Sequence, residues 1–258
     1  MPELPDVEGF RRYFARFAQG KRIEAVRVQT AAIVRNSSPQ GLGRALKGRR
    51  FEQPERTGKW LFAPADGPIL LMHFGMTGGL NWYGKDREAH RHDRALFRFA
   101  DGTLAYRNMR MLGGLWLARG RGDADRITGA LGPDAADLDR EDLDELLSGR
   151  RGGVKATLMN QRVLSGIGNE LSDEVLWQAR LAPRRPVQDL GRHKLGNLHR
   201  AMREVLIESM RRGRIPRHPD WLTSQRRARE PTCPRCRSRL RRETVAGRTA
   251  YWCPRCQR

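Results

Sequence analysis

Lysine is scarce in this chain. Only six are present, Lys21, Lys47, Lys59, Lys85, Lys155 and Lys194, within a combined Lys+Arg count of 50. The arginine excess reads first as codon bias in a GC-rich genome. A single arginine therefore carries little weight, and a lysine at a telling place carries more. No apolar run approaches the length of a membrane span, and no basic stretch followed by an apolar one marks a secretory leader. Cysteine is limited to four residues, all within the last 26 positions, so no thiol remains for catalysis elsewhere. Acidic residues number 29, giving a formal net charge of +21 and a pI near 11.2. Such a field draws polyanions, nucleic acid above all. The expectation is a soluble, cytoplasmic protein that handles DNA or RNA, with no membrane partner.

What is present begins at the first residues, Met1-Pro2-Glu3-Leu4-Pro5-Asp6-Val7-Glu8. Met1 precedes a small residue, so its removal by methionine aminopeptidase is expected. Pro2 would then be a free secondary amine beside the Glu3 carboxylate. A terminal amine has a pKa of roughly 8, against about 10.4 for lysine, so more of it is nucleophilic at neutral pH. Its condensation with an aldehyde carbon gives an iminium, an electron sink suited to covalent chemistry at a sugar. Taken alone, a frayed terminus is the commoner meaning of such a stretch.

Val7, Phe10, Phe14 and Phe17 recur at steps of three and four, which predicts an amphipathic helix stopped near Gly20. From 22 to about 119 short apolar runs alternate with turn signals. The runs 23–28, 60–63, 69–74, 80–83, 96–99, 104–107 and 114–117 read as strands, with hairpin turns at Asp66-Gly67 and Asp101-Gly102. Antiparallel strands in series imply a β-sandwich or barrel. Three loops stand out: Thr57-Gly58-Lys59; His73-Phe74-Gly75-Met76-Thr77-Gly78-Gly79; and Arg107-Asn108-Met109-Arg110-Met111-Leu112-Gly113-Gly114. Apolar side chains beside arginines suit insertion into a base stack.

Beyond 119 the pattern turns helical. Residues 120–139 read as linker, 139–148, 154–163, 170–179 and 190–212 as helices, and 211–231 as a mobile Arg- and Pro-rich connection. Ser165-Gly166-Ile167-Gly168-Asn169 precedes a helix, whose free N–H groups suit a phosphate. An ordinary glycine turn between helices explains the same residues equally well. Cys233-Pro234-Arg235-Cys236 and Cys253-Pro254-Arg255-Cys256, with sixteen residues between them, fit one tetrahedral four-cysteine zinc. The strands between them would meet around Ala246-Gly247-Arg248. With no carboxylate or histidine at the knuckles, the site reads as closed and structural, and the metal supplies the folding energy of so short a segment.

These motifs, in this order, resemble the formamidopyrimidine-DNA glycosylase and endonuclease VIII family of base-excision repair enzymes. The likeness runs from Pro2-Glu3-Leu4-Pro5 to Cys256-Gln257. It takes in Gly58-Lys59, His73-Phe74-Gly75-Met76-Thr77-Gly78, Leu131-Gly132-Pro133 and Gly166-Ile167-Gly168-Asn169-Glu170. It implies a multi-domain α+β fold. A β-sandwich led by a helix would occupy 1–120, a helical domain with a helix–two-turn–helix 121–230, and a zinc-held hairpin 231–258. It implies a bifunctional glycosylase and lyase that removes oxidised or ring-opened bases from double-stranded DNA, cuts abasic sites by β,δ-elimination, and works as a monomer with one zinc. Pro2 would attack C1′ and Glu3 would act as general acid, while Glu8 matches a carboxylate kept near the reaction centre. Lys59, Asn169 and Arg248 would hold phosphates, with Lys155 also assigned to DNA binding. Met76, Arg110 and Leu112 would fill the hole left by the flipped base. Cys233, Cys236, Cys253 and Cys256 would bind the zinc.

The chain departs from the family pattern in places. Asp6 stands for the usual Glu, and Leu112 for the Phe of the formamidopyrimidine branch. Met109 and Met111 replace Pro and Arg, and 211–231 lacks the Gly-Gly-Thr-rich loop that covers oxidised guanine in that branch. The expected substrates are abasic sites first, then ring-opened purines or oxidised pyrimidines ahead of 8-oxoguanine. Two other readings compete: a catalytically silent zinc-dependent binder of damaged or branched DNA, and an RNA-binding zinc ribbon. Neither needs the Pro2-Glu3 pair.

Overall fold

The computed structural model describes residues 1–85 and 89–258. The chain divides into two units: Met1–Pro2 with Asp6–Ala130, and Glu3–Pro5 with Leu131–Arg258.

Helix α1 (Leu4–Ala18) belongs to the first unit from Asp6 onward. Val7, Phe14 and Ala18 are fully buried at steps of seven and four, which is the expected apolar stripe. Phe10 and Phe17 are half-buried, packing on Phe74 and Trp82 at ring-centroid distances of 4.3 and 5.3 Å. There follow β1 (Ala25–Val28), α2 (Pro39–Leu46), β2 (Glu55–Thr57), β3 (Trp60–Pro64), β4 (Ile69–His73), β5 (Gly78–Tyr83), β6 (Asp93–Phe99), β7 (Gly102–Asn108) and β8 (Gly114–Ala118). Two antiparallel four-stranded sheets result, ordered β1-β6-β7-β5 and β2-β3-β4-β8. One apolar core draws Phe97, Phe99, Leu104 and Tyr106 from the first sheet, Leu61, Ala63, Leu70 and Met72 from the second, and Phe14 from α1. That is the expected sandwich, with the facing sides of the two sheets buried against each other.

Two local expectations fail in this unit. The β6–β7 hairpin pairs Phe99 with Gly102, so its loop residues are Ala100 and Asp101, one step earlier than the Asp-Gly rule suggests. The turn needs no positive φ there, whereas Asp66-Gly67 has φ of 46° and 115° as expected. Residues 121–128, read as linker, form α3 (Arg121–Thr128). Its buried Ala124 joins Phe62, Ile69, Leu71 and Ala118 in a small core. Gly and Asp made the stretch look like coil, but burying one alanine face is enough to hold a short helix.

The second unit holds α4 (Arg140–Leu147), α5 (Val154–Met159), α6 (Asn169–Gln178) and α7 (Arg192–Arg212). The hairpin of β9 (Arg241–Val245) and β10 (Arg248–Trp252) completes it. Asp139 and Asp142 form a reciprocal capping box at the start of α4. Gln161 staples the turns between α5 and α6. Its amide donates to Met159 O and Ile167 O at 2.9 and 2.8 Å, and its carbonyl accepts from Gly166 N at 3.0 Å. The connection after α7 is not the mobile segment expected. It contains a 3₁₀ turn, Leu222–Arg227, with Leu222 fully buried and Arg226 ion-paired. Its arginines and prolines read as solvated because their partners lie far away in sequence. Among the described residues no helix is long and apolar enough to cross a membrane.

Candidate functional site

Glu3 leaves the N-terminal segment with its side chain fully buried. Its two carboxylate oxygens accept from the main-chain N–H of Gly168 at 2.8 Å, Glu170 at 2.8 Å and Leu171 at 3.2 Å. These are orphan donors at the start of α6, where the helix dipole also favours an anion. The sequence offered this helix start equally to a phosphate or to an ordinary glycine turn; the group found there is the carboxyl of the chain's own third residue. Leu4 N donates to Gly166 O at 3.1 Å, fixing the main chain beside it. Gly168 leaves the carboxyl its room: a Cβ there would lie 2.3–2.6 Å from the Glu3 carboxyl atoms. Pro2, half-buried, directly precedes this anchored residue.

Lys155, assigned to DNA contact, is fully buried on α5. Its Nζ donates to Asn169 O at 3.0 Å, Ser172 Oγ at 2.8 Å and Asp173 Oδ1 at 2.6 Å. With all three donors used inside the protein, it cannot meet a phosphate directly. Asp173 accepts on its other oxygen from Arg226 and from Tyr251 N, the latter at 3.0 Å. Burial lowers the Lys155 pKa and raises that of Asp173, each opposed by the other's charge. Asn169 donates through Nδ2 to Thr249 O at 3.0 Å, beside exposed Arg248 at the hairpin tip. Glu174, the residue after Asp173 on α6, is also buried. It accepts from Gln178 at 3.0 Å and Thr223 N at 2.9 Å, and burial pushes its pKa up to about 7.

The four cysteine sulfurs lie within 4.8 Å of one another. Cys236 and Cys253 are 3.5 Å apart, and Cys233 and Cys256 3.9 Å. A tetrahedron with Zn–S of roughly 2.3 Å has edges of about 3.8 Å, so the set fits. Sulfurs this close cannot all ionise without a shared cation. Ser238 Oγ reaches Cys236 at 3.0 Å and Cys253 at 3.2 Å, and can donate its one proton to either sulfur.

In the first unit Lys59 occupies the two-residue turn joining β2 and β3. Its charge is felt at His73, whose pKa falls to about 4, mainly through burial and then through Lys59. Glu8 lies 2.7 Å from Arg11 and 3.5 Å from Arg56, which hold its carboxyl below its usual range against the effect of burial. The two wedge loops interlock. Gly75, at φ 59°, lies so close to Leu112 and Gly113 that a Cβ would come within 2.5 Å of their backbone. Arg110 N donates to Thr77 Oγ1 at 3.1 Å, and Arg110 Nη1 lies 3.6 Å from Met76 Sδ. Met76 is half-buried, whereas Met109, Met111 and Leu112 are exposed by 51%, 38% and 56%. Arg35, which the sequence did not single out, holds this loop by donating to Met111 O at 2.8 Å and Gly113 O at 2.6 Å. Asp173, Glu174, Arg226 and Trp177 were also missed. Each is defined by partners many positions away, and no local spacing announces them.

Comparison with known proteins accounts for the whole chain. The formamidopyrimidine-DNA glycosylase N-terminal domain matches residues 1–115, the corresponding H2TH domain 130–218, and the zinc finger found in FPG and IleRS 231–258. The formamidopyrimidine-DNA glycosylases of Alkalilimnicola ehrlichii and Geobacter metallireducens are 34% and 35% identical, each over the full length of both chains. Among solved structures, wild-type Lactococcus lactis Fpg with DNA containing N7-benzyl-Fapy-dG superposes with a TM-score of 0.88 at 27% identity, covering 99% of each chain. The same enzyme with DNA containing an abasic site gives the same TM-score, identity and coverage.

Proposed function

We propose residue roles from one premise: the chain belongs to the formamidopyrimidine-DNA glycosylase family. It is accordingly a DNA glycosylase carrying one structural zinc on Cys233, Cys236, Cys253 and Cys256. The observation that carries the assignment is Glu3, clasped by three N–H groups immediately after Pro2. The peptide bond ties Pro2 directly to this anchored residue, which restricts where a nucleophile at Pro2 can reach.

With Met1 removed, the Pro2 nitrogen attacks C1′ of a flipped nucleotide in double-stranded DNA. The C1′–base bond breaks, the base leaves with a proton, and opening of the sugar gives an iminium between Pro2 and C1′. Glu3 serves the ring oxygen as proton carrier. Loss of a C2′ proton expels the 3′ phosphate, and a second elimination expels the 5′ phosphate. Hydrolysis of the conjugate releases Pro2. Lys59 and Asn169 bind phosphates near the lesion, and Arg248 binds one from the finger. Met76, Arg110 and Leu112 occupy the emptied stack. Lys155 supports Asn169 from within rather than touching DNA. The protein acts as a monomer in the cytoplasm, on the nucleoid. Functional modules divide near residues 130 and 230: the sandwich with α3, the helical domain and the finger.

The test is borohydride trapping on DNA containing an abasic site. The expected result is one covalent adduct, mapped by mass spectrometry to Pro2. An adduct on Lys59 or Lys155, no adduct at all, or Met1 retained in an active enzyme would each overturn the assignment. A silent DNA-binding protein gives no adduct and no strand cleavage.

A further inference from the structure

Trp177 lies one residue before the end of α6 and is 3% exposed. Its indole N–H donates to Cys233 Sγ at 3.4 Å. The same knuckle grips it twice more. The Arg235 guanidinium sits 4.1 Å from the ring centroid, and Arg235 Nη1 donates to Trp177 O at 3.2 Å. Leu222, Leu240 and Cys253 complete the packing around it. An indole has one donor and no acceptor, and burying that donor unpaired is costly. Here its partner is a sulfur of the four-cysteine set. A metal-bound thiolate is a much better acceptor than a neutral thiol, because the bond is then charge-assisted.

The other end of the same helix clasps Glu3 through Glu170 N and Leu171 N. A helix of 10 residues is a rigid rod of about 15 Å. Between the two ends, Asp173 accepts from Tyr251 N on β10. One helix thus carries both a ligand-facing donor for the metal centre and the donors that place Glu3.

We infer that Trp177 is a positioning residue: its N–H to Cys233 stabilises bound zinc, and through α6 it makes the Glu3 clasp depend on zinc occupancy. Neither half rests on the chemical role of Glu3, and both are measured without DNA, so failure here is separate from failure of the glycosylase assignment.

The experiment uses the full-length zinc-loaded protein and its Trp177→Phe variant, which keeps the ring and loses only the donor. Zinc release to a colorimetric chelator should be about tenfold faster or more in the variant, the usual effect of deleting a partner of a metal ligand. Release within twofold of the parent, with an unchanged circular dichroism spectrum, overturns the first half. Amide hydrogen exchange in the unaltered protein tests the second half and does not depend on the variant folding. Removing zinc should accelerate exchange at Glu170 and Leu171. If those amides exchange equally with and without zinc, the helical core alone holds the clasp and the coupling does not exist.

Discussion

Single residues set the chemistry through contacts that can be broken one at a time. Gly168→Ala places a methyl group against the Glu3 carboxyl, which is the far end of a flexible side chain and can move aside. Folding should survive with a small loss of melting temperature. The displaced carboxylate, however, should slow single-turnover base excision by about 100-fold, as misplacement near 1 Å does. Excision at the parental rate would mean that the clasp is incidental. Glu174 allows a test by pH. Its folded pKa of about 7 exceeds the ordinary carboxyl value of 4.5. The folded protein therefore holds a proton that the unfolded chain has released between those values, and stability falls as pH rises through the window. Glu174→Gln should flatten this dependence and gain up to about 3 kcal/mol at pH 8 in chemical denaturation. His73 acts in the opposite sense. Its folded pKa of about 4 lies below 6.5, so stability of the first unit falls as pH drops from 6.5 through 4.

At the scale of elements, the hairpin of β9 and β10 should be the part that fails alone. Its buried side chains are few, Val245 and Ala250 with Leu240 and the cysteines, and Ala246 and Gly247 turn the chain with φ of 47° and 72°. A strong chelator or Cys233→Ser should abolish DNA binding while the β-sandwich keeps its near-ultraviolet signal. Arg248→Ala should weaken DNA binding with little regard to the lesion, and lower the salt slope by about one counterion. Unchanged affinity after metal removal would count against the finger as a clamp. Elements were also what the sequence disclosed best. The Val7–Phe14 stripe, the strands over 60–117 and the paired Cys-x-x-Cys knuckles are local patterns, read without knowing the fold. Lys155 and the 222–227 turn were misread because residue type alone places Lys, Arg and Pro in solvent. Only the fold supplies Asp173 to Lys155 and Arg226. The Glu3 clasp was invisible for the same reason: nothing in Pro2-Glu3-Leu4 names residues 168–171.

For the whole molecule, a net charge of +21 makes association with DNA salt-dependent whatever the lesion. Lesion choice must come from elsewhere. The stretch after α7 runs through a 3₁₀ turn packed on α6, with Thr223 N bound to Glu174 and Leu222 in the core, and has no glycine-rich covering loop. Few groups then remain to read the edge of a flipped 8-oxoguanine, and losing one good polar contact costs roughly tenfold, about 1.4 kcal/mol. Abasic sites should be cut best, and a formamidopyrimidine, thymine glycol or dihydrouracil removed faster than 8-oxoguanine. A matched duplex panel under single-turnover conditions decides the matter. If 8-oxoguanine opposite cytosine is the fastest base substrate, the loop argument is wrong.

The bonds from Glu3 to Gly168, Glu170 and Leu171 span 165 to 168 positions of sequence. During synthesis the N-terminal segment leaves the ribosome first, while its partners follow roughly 10–30 s later at 5–20 residues per second. Throughout that interval the terminus is undocked and open to the aminopeptidase. A nascent or truncated chain ending before α6 cannot seat Glu3, so the amine proposed at Pro2 would be exposed early and positioned only after α6 has been made.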